Sequence, residues 1–322
     1  MLCSVVEWKG SVPRKDYPMM LVLDNGQIRG TIGGGSMELK ISQTAMEMMH
    51  QTTSALFDFD MTGDDVKADV GLCGGTLKVL VEPFTPQLES FYTEMLLESD
   101  NDQKLMVQLT VPMENPVEVH RDILTTPKSI HHRDARIEKK LKDIFENQLT
   151  RSLAHENELY LIWQVFSPPT IHIYGAGHVG QAVAFLAHFA EVPVIVYDDR
   201  TELLTSKRFP YATTVITSFP INRESFVDIL DRDFVLIASR EHRHDRELLS
   251  HTLKIGPRYI GLVSSSRKWK LLSQSLQSDG IPQEALNMVH APVGIDIDAQ
   301  TVPEIAVSIM SEMIAVYRGK TI

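Results

Sequence analysis

The 322-residue chain is predicted to have an α/β fold, in which a doubly wound parallel sheet follows a smaller N-terminal α+β domain. In the C-terminal half, strand patterns that are apolar on both faces alternate with helical stretches, as in a parallel sheet covered on both sides. In the N-terminal half, shorter strand patterns alternate with glycine turns. Between them, Pro168-Pro169 breaks regular structure. We therefore predict two domains, residues 1–167 and 168–322.

The N-terminal domain is predicted to mix strands and helices. Strand patterns are LCSVVEW, MMLVLDNGQIRGTI with a hairpin turn at Asn25-Gly26, and TLKVLVEPF. Weaker patterns predict strands over residues 104–109 and 158–166. The apolar spacing predicts helices over residues 37–50, 87–98 and 135–149.

The C-terminal domain is predicted to hold five buried strands, TIHIYG, VPVIVYDD, ATTVITS, DFVLIAS and RYIGLVSS. The last helix is predicted to run from Pro303 to Arg318. Thr301 and Glu304 are three residues apart, as in a capping box, and Pro303 lies in the first turn.

Composition excludes several classes of protein. The formal net charge of -11 argues against nucleic-acid binding, because affinity for a polyanion comes from Lys and Arg. Two cysteines cannot form a disulfide framework or a four-cysteine zinc site. No apolar run reaches the roughly 18 to 20 residues that span a bilayer. We expect a cytoplasmic protein that binds neither membrane nor nucleic acid.

The sharpest motif is a glycine loop of the GxGxxG type, typical of Rossmann dinucleotide folds. It follows the strand IHIY and opens a helix, and it reads Gly175, Ala176, Gly177, His178, Val179, Gly180. Asp198 or Asp199 ends the next strand, where an acid can accept hydrogen bonds from a ribose diol. Helix N-termini attract anions, so the loop predicts a pyrophosphate or phosphate site. The alternative is a turn kept for packing alone, and the loop does not distinguish a nicotinamide nucleotide from a pterin.

A second glycine cluster precedes the first predicted helix. Gly33, Gly34 and Gly35 can aim successive amides at an anion, with Ser36 as a candidate N-cap. Upstream, Arg14 is a candidate to bring a guanidinium to the same place. A sharp strand-to-helix turn and a surface arginine are the competing interpretations.

Cysteine and polar side chains supply further candidates. Cys73 lies in GLCGG, where small neighbours favour an accessible, reactive thiolate, although a small buried residue is the alternative. Cys3, in an apolar strand, is expected in the core. The segment REHRHD, residues 240–245, suggests hydrogen bonding or helix capping in preference to a metal site. GLVSSSRK offers Ser265 and Arg267 for anion binding or for capping.

In order along the chain, these motifs resemble the XdhC/CoxI family. The similarity is carried by GSVPRK, GTIGGGSME and GLCGGTLKVLVEP, then IYGAGHVG, VYDDR, REHRHD, GLVSSSRK and APVGIDIDAQTVPEIAVSI. It spans nearly the whole chain except residues 85–166. One departure is Ser36, which stands where the family often has a cysteine after the triple glycine.

The resemblance implies an accessory protein, a chaperone in preference to a catalyst. Such a protein would bind molybdenum cofactor (molybdopterin), assist its sulfuration with a cysteine desulfurase, and deliver it to xanthine dehydrogenase or a related molybdenum hydroxylase. The cofactor phosphate is expected on the two glycine turns and Cys73 near the molybdenum, with the pterin either alone or as a dinucleotide. The resemblance also implies a homodimer.

The alternative is an NAD(P)-dependent oxidoreductase that uses the Rossmann domain. In that case Asp198 favours an unphosphorylated ribose, since a carboxylate would repel a 2′-phosphate.

Overall fold

The computed structural model describes residues 1–11, 17–60, 75–99, 105–114, 118–147, 150–165, 168–216, 229–240 and 242–320. The chain divides into two compact units, Met1–Ser167 and Pro168–Ile322. Over the described ranges, every helix is too short or too polar to cross a lipid bilayer.

The first unit contains a five-stranded antiparallel sheet with the order β3-β2-β1-β5-β4. Asn25 and Gly26 form the predicted turn between β2 and β3, with Gly26 at φ 79°. Alternate apolar residues of β1 and β5 pack against Met37, Ile41 and Ala45 of α1. The strands and helix are β1 (Leu2–Lys9), β2 (Met19–Val22), β3 (Ile28–Gly30), β4 (Ala55–Asp60), β5 (Thr76–Glu82) and α1 (Gly35–Glu47).

A four-stranded antiparallel sheet with the order β7-β6-β9-β8 completes the first unit. Val6 and Leu80 of the first sheet share a core with Leu109 and Leu161 of the second, so the two sheets pack face to face. The elements are α2 (Pro86–Ser99), β6 (Met106–Pro112), β7 (His120–Leu124), α3 (Ala135–Glu146), β8 (Arg151–His155) and β9 (Glu158–Gln164). The apolar face of α3 covers β6 and β9 on the outer side.

The second unit is built on a six-stranded parallel sheet with the order β12-β11-β10-β13-β14-β15. Counted along the chain from its first strand, this is the Rossmann order 3-2-1-4-5-6. The strand order reverses between β10 and β13, and ligands of open parallel sheets bind at this switch point. The strands are β10 (Ile171–Tyr174), β11 (Val194–Asp198), β12 (Thr213–Ile216), β13 (Phe234–Ile237), β14 (Tyr259–Leu262) and β15 (Val289–His290).

Helices cover both faces of the parallel sheet. On one face, Val183 and Ala187 of α4 and Ile309 and Met310 of α8 form a core with the strands. On the other, α5, α6 and α7 contribute Leu248, Leu276 and Leu286. The helices are α4 (His178–Phe189), α5 (His242–Ile255), α6 (Ser266–Ser278), α7 (Gln283–Leu286) and α8 (Val302–Tyr317). The predicted capping box of α8 is confirmed, because Glu304 accepts from the Thr301 amide and Thr301 accepts from the Glu304 amide.

The predicted fold class is confirmed, and the strong sequence patterns correspond to elements with ends shifted by a few residues. The helices expected over 37–50, 87–98 and 135–149 are α1, α2 and α3. The strands β4, β7, β8 and β15 were not predicted. They lie at sheet edges, where one hydrogen-bonding side is unpaired and the apolar pattern is weak.

Candidate functional site

The glycine loop lies at the switch point, and each of its glycines has a separate role. A Cβ on Gly175 would lie 2.3 Å from the carbonyl oxygen of Ala238, which follows β13, and Gly175 has φ 129°. A Cβ on Gly180 would lie 2.0 Å from the Gly175 oxygen, so this glycine lets α4 pack on the loop. A Cβ on Gly177 would meet nothing within 4 Å. Gly177 therefore borders open space at the start of α4.

The N-terminus of α4 offers unused donors. Within the described part of the chain, the amides of Gly177, His178, Val179 and Gly180 have no hydrogen-bond acceptor. The first four amides of any helix lack partners inside it, and together with the helix dipole they favour an anion. His178 is exposed, and Gly180 is buried.

Arg208 brings a positive charge to the same loop. Its Nη2 donates to the carbonyl oxygen of Ala176 at 2.9 Å, and its Nε is buried without a hydrogen-bond partner. Among the described residues, no carboxylate pairs with this guanidinium. A partly buried, unpaired guanidinium beside free amides is a combination suited to a phosphate.

Asp198 does not face this space as a free acceptor. Its carboxylate is 3% exposed and bonds Ala176 and Arg200. Burial alone would raise the pKa of Asp198, but the Arg200 guanidinium and the two backbone amides outweigh burial and lower the pKa to about 2. From the sequence we expected the Asp198 carboxylate to repel a 2′-phosphate. Because Arg200 neutralises this carboxylate, the repulsion is no longer expected. Asp199 is more exposed, with Arg240 Nη2 3.6 Å from its carboxylate.

A cleft of about 610 Å³ adjoins the loop on the α4 face of the sheet. His178 and Gln181 from the first turn of α4 line it, together with Arg208. The remaining wall is largely apolar and includes Phe185, Tyr211, Pro303 and Val307. A ligand held at the loop thus has an apolar surface next to its anionic end.

The triple glycine of the first unit is arranged differently. Glu38 of α1 folds back into the turn, where its Oε2 accepts from the amides of Ile32 and Gly34, both at 3.1 Å, and from Thr31 Oγ1 at 2.5 Å. The Gly33 amide donates to Thr31 Oγ1 at 3.1 Å. Gly33, Gly34 and Gly35 all have positive φ, as expected for a tight turn. Of the three amides that we predicted for a phosphate, Glu38 therefore occupies that of Gly34 and Thr31 that of Gly33.

The two cysteines and Arg14 are the candidate residues predicted for the first unit besides the triple glycine. Cys3 is fully buried in β1, as predicted, and burial raises the pKa of its thiol to about 12. Arg14 and Cys73 lie outside the described residues. Their proposed roles beside the phosphate and the molybdenum stay predictions.

The segments REHRHD and GLVSSSRK meet at the carboxyl edge of the sheet. Asp245, 1% exposed, accepts from Ser239 Oγ at 2.6 Å and pairs with Lys268 Nζ at 2.6 Å, which ties α5 to α6. Ser265 caps α6 by accepting from the Lys268 amide. The described ranges contain no group of three or more His, Cys, Asp or Glu side chains able to hold a metal.

Ser265 and Arg267 do not share the cleft beside the glycine loop. They line a second cleft, of about 790 Å³, between α5 and α6 on the opposite face of the sheet from α4. The structure thus places these two candidates for anion binding apart from the cleft beside the glycine loop.

The loop before α8 is held by a buried carboxylate. Glu312 accepts from the Gly294 amide and Tyr259 OH and pairs with His290. Burial would raise the pKa of Glu312, but these partners lower it. A Cβ on Gly294 would lie 2.3 Å from Ser308 Oγ, so the loop packs directly on α8.

Sequence reasoning missed Arg200 and Arg208 as residues of the site. Arg200 carried a usable signal, since it follows two acids at the end of a strand in VYDDR. Arg208 carried none, because it reaches Ala176 across 32 residues of sequence.

Strand order and loop geometry define the second unit as a Rossmann-type domain, with amides that lack an acceptor at its switch point. Models of two protein families match the chain, the XdhC Rossmann domain over residues 171–313 and the XdhC and CoxI family over residues 1–60. The chain belongs to the XdhC/CoxI family.

The similarity to known proteins extends over most of the chain. A Bacillus subtilis protein, named as a probable xanthine dehydrogenase subunit, is 28% identical over 98% of this chain and 92% of its own length. The uncharacterized Escherichia coli protein YqeB is 26% identical over 98% of this chain, which spans 43% of that longer protein. A Bacillus halodurans crystal structure, described as a xanthine dehydrogenase, superposes with a TM-score of 0.78 at 24% identity, covering 99% of this chain and 92% of that one. This last likeness concerns the fold.

Proposed function

We propose that this protein is an accessory protein of xanthine dehydrogenase or a related molybdenum hydroxylase, which binds molybdenum cofactor and assists its sulfuration and insertion. Membership of the XdhC/CoxI family supports an accessory role, as does the name of the Bacillus subtilis relative. Of the parts of this proposal, cofactor binding is the one that the geometry of the site supports.

The observation that carries the proposal is the unpaired Arg208 beside the free amides of Gly177 to Gly180. Molybdopterin ends in a phosphate, and phosphate binds most strongly where a guanidinium and several amides converge. Gly177 leaves space for the phosphate to reach the backbone. The residues present therefore fit the phosphate end of the cofactor.

The apolar cleft beside the loop suits the pterin body. Phe185, Tyr211 and Pro303 line this cleft, and so does the first turn of α4. They offer flat apolar surfaces beside a phosphate held at α4. When bound, the cofactor supplies the molybdenum centre on which a recipient hydroxylase depends. This chain contributes the phosphate site and the surrounding surface.

The remaining parts of the proposal concern partners. Sulfuration calls for a cysteine desulfurase, and Cys73 is the thiol we assign to the molybdenum end, because Cys3 is buried and its thiol pKa is raised. A cytoplasmic homodimer completes the proposal. An NAD(P)-dependent oxidoreductase is the competing function, and the bonds that already occupy Asp198 count against it when the ligand is NAD.

Titration of the full chain with molybdenum cofactor under anaerobic conditions tests the proposal. We expect Arg208→Ala to weaken binding by about tenfold or more, the effect of losing one charge-assisted hydrogen bond. Arg133→Ala is the matched control, since it removes a guanidinium from an exposed pair with Glu156 in the first unit, and it should leave the affinity unchanged.

Two results would contradict the proposal. One is equal cofactor affinity of Arg208→Ala and the unaltered chain. The other is absence of binding together with normal xanthine dehydrogenase activity in a strain that lacks this protein.

A further inference from the structure

Asp198 occupies the position from which a carboxylate accepts the ribose hydroxyls of a dinucleotide in Rossmann sites. Here four donors already reach it. The Ala176 amide and Arg200 Nη2 donate to Oδ2 at 2.7 and 2.8 Å, and Arg200 Nε and the Arg200 amide donate to Oδ1 at 2.8 and 3.0 Å. A carboxylate offers about four lone-pair positions. None remains for a ribose diol.

Displacement of Arg200 by a diol would be unfavourable. The diol offers two neutral hydrogen bonds in place of a bidentate ion pair, and charge-assisted bonds are roughly twice as strong as neutral ones. Asp198 is also 3% exposed, and a buried carboxylate that loses its cation is strongly destabilised. The Arg200–Asp198 pair therefore closes the ribose position.

The same pair makes this end of β11 acceptable to an anion. Arg200 cancels the charge of Asp198, and its side chain is 29% exposed. Arg208 adds a cation that no described carboxylate neutralises. Both guanidinium groups connect to Ala176 of the glycine loop: Arg208 donates to its oxygen, and Arg200 donates to Asp198, which accepts from its amide. A phosphomonoester carries more negative charge than a phosphodiester, and at this loop it would lie near two cations.

We infer that Arg200 determines the specificity of the glycine-loop site, which takes a phosphomonoester and excludes a free ribose diol beside β11. The inference deepens the proposed function, on which its biological meaning rests. It assigns to this chain the pterin that ends in a phosphate, in preference to the pterin dinucleotide.

The test compares two pairs of ligands. Isothermal titration of the full chain with NADP and NAD contrasts a 2′-phosphate with a free diol. The pterin cofactor without and with its nucleotide contrasts a terminal phosphomonoester with a pyrophosphate whose nucleoside carries a free diol. We expect the unaltered chain to prefer NADP over NAD, and the pterin monophosphate over the dinucleotide, by about tenfold or more.

Arg200→Ala should reverse the preference, because it releases acceptor positions on Asp198 and removes the phosphate partner. NAD binding should strengthen while NADP binding weakens. Arg200→Lys keeps the charge but cannot bridge both carboxylate oxygens. It should retain NADP binding and gain NAD binding, and it serves if Arg200→Ala does not fold. Arg133→Ala should change neither affinity.

The outcomes separate the two claims. Equal binding of NAD and NADP, with no reversal in either Arg200 variant, would overturn the inference even if pterin cofactor binds. Preference for NADP that reverses in Arg200→Ala, with no binding of either pterin form, would support the inference and reject the carrier role. If no ligand binds, both claims are wrong.

Discussion

The two glycine turns of this chain look alike in sequence and differ in what fills them. In the first unit, Glu38 accepts from the amides of Ile32 and Gly34, and Thr31 accepts from the amide of Gly33, so the chain itself occupies these donors. In the second unit, the amides of Gly177 to Gly180 have no acceptor among the described residues, and Gly177 borders open space. A glycine-rich turn before a helix is therefore not by itself an anion site. What decides is whether the chain supplies its own carboxylate.

The largest effect we expect is from a methyl group in the second turn. Gly180→Ala would place a Cβ 2.0 Å from the Gly175 oxygen, so α4 or the loop must move. We expect about 3 kcal/mol of destabilisation, at the upper end for overpacking. Gly177→Ala, with no neighbour within 4 Å, should change stability by less than about 0.5 kcal/mol. Hydrogen exchange of peptides from β10 and α4 measures both.

If the two variants are equally stable, the close packing of α4 on the loop is not what requires glycine at position 180. Ligand affinity provides a second measurement on the same two variants. Gly177→Ala fills part of the open space at the amides and should weaken phosphate binding while the fold is unchanged.

A smaller effect is expected in the first turn. Glu38→Ala removes the acceptor of two amides and one hydroxyl, and we expect a loss of about 2 kcal/mol. Since the vacated amides resemble those of α4, sulfate should stabilise this variant more than it stabilises the unaltered chain. Glu47→Ala, an exposed acid on the same helix, controls for the general effect of sulfate. Thermal unfolding with and without sulfate gives the readout.

Identical behaviour of Glu38→Ala and Glu47→Ala would show that the carboxylate does not fill the turn in solution. The contrast between the two units would then disappear.

The smallest effect concerns acid. The pKa of Asp198 is depressed from 3.8 to about 2, so its bonds to Arg200 and Ala176 stabilise the folded form fully above about pH 4. This contribution is lost as the pH falls through about 2. Asp198→Asn should remove the dependence. Exchange at the loop, compared between variant and unaltered chain at each pH, measures the difference. A pH profile that is the same for both chains would contradict the assigned bonds.

Short sequence patterns were sufficient to predict the elements of this protein that depend on neighbouring residues. The glycine loop, the capping box at Thr301 and the buried strands of the second unit each rely on residues within a few positions of one another. An acid such as Glu38 is expected in the first turn of a helix, because acids favour helix N-termini. The contact of its side chain with the turn, however, depends on backbone angles at three glycines.

Contacts between distant segments could not be predicted in this way. Arg208 meets Ala176, and Lys268 meets Asp245, only after the sheet has assembled. The separation of Ser265 and Arg267 from the glycine loop likewise depends on which face of the sheet each helix covers. A single sequence records the residue types but not these distances.

The fit of Gly175 against Ala238 has a consequence for the kinetics of ligand binding. Because the loop packs directly on Ala238 at the end of β13, we expect these two segments to keep their spacing when a ligand binds. A site built in advance loses little conformational entropy on association. Encounter should then be governed by electrostatic attraction and by removal of water, and the association rate should fall with ionic strength without a slow folding phase.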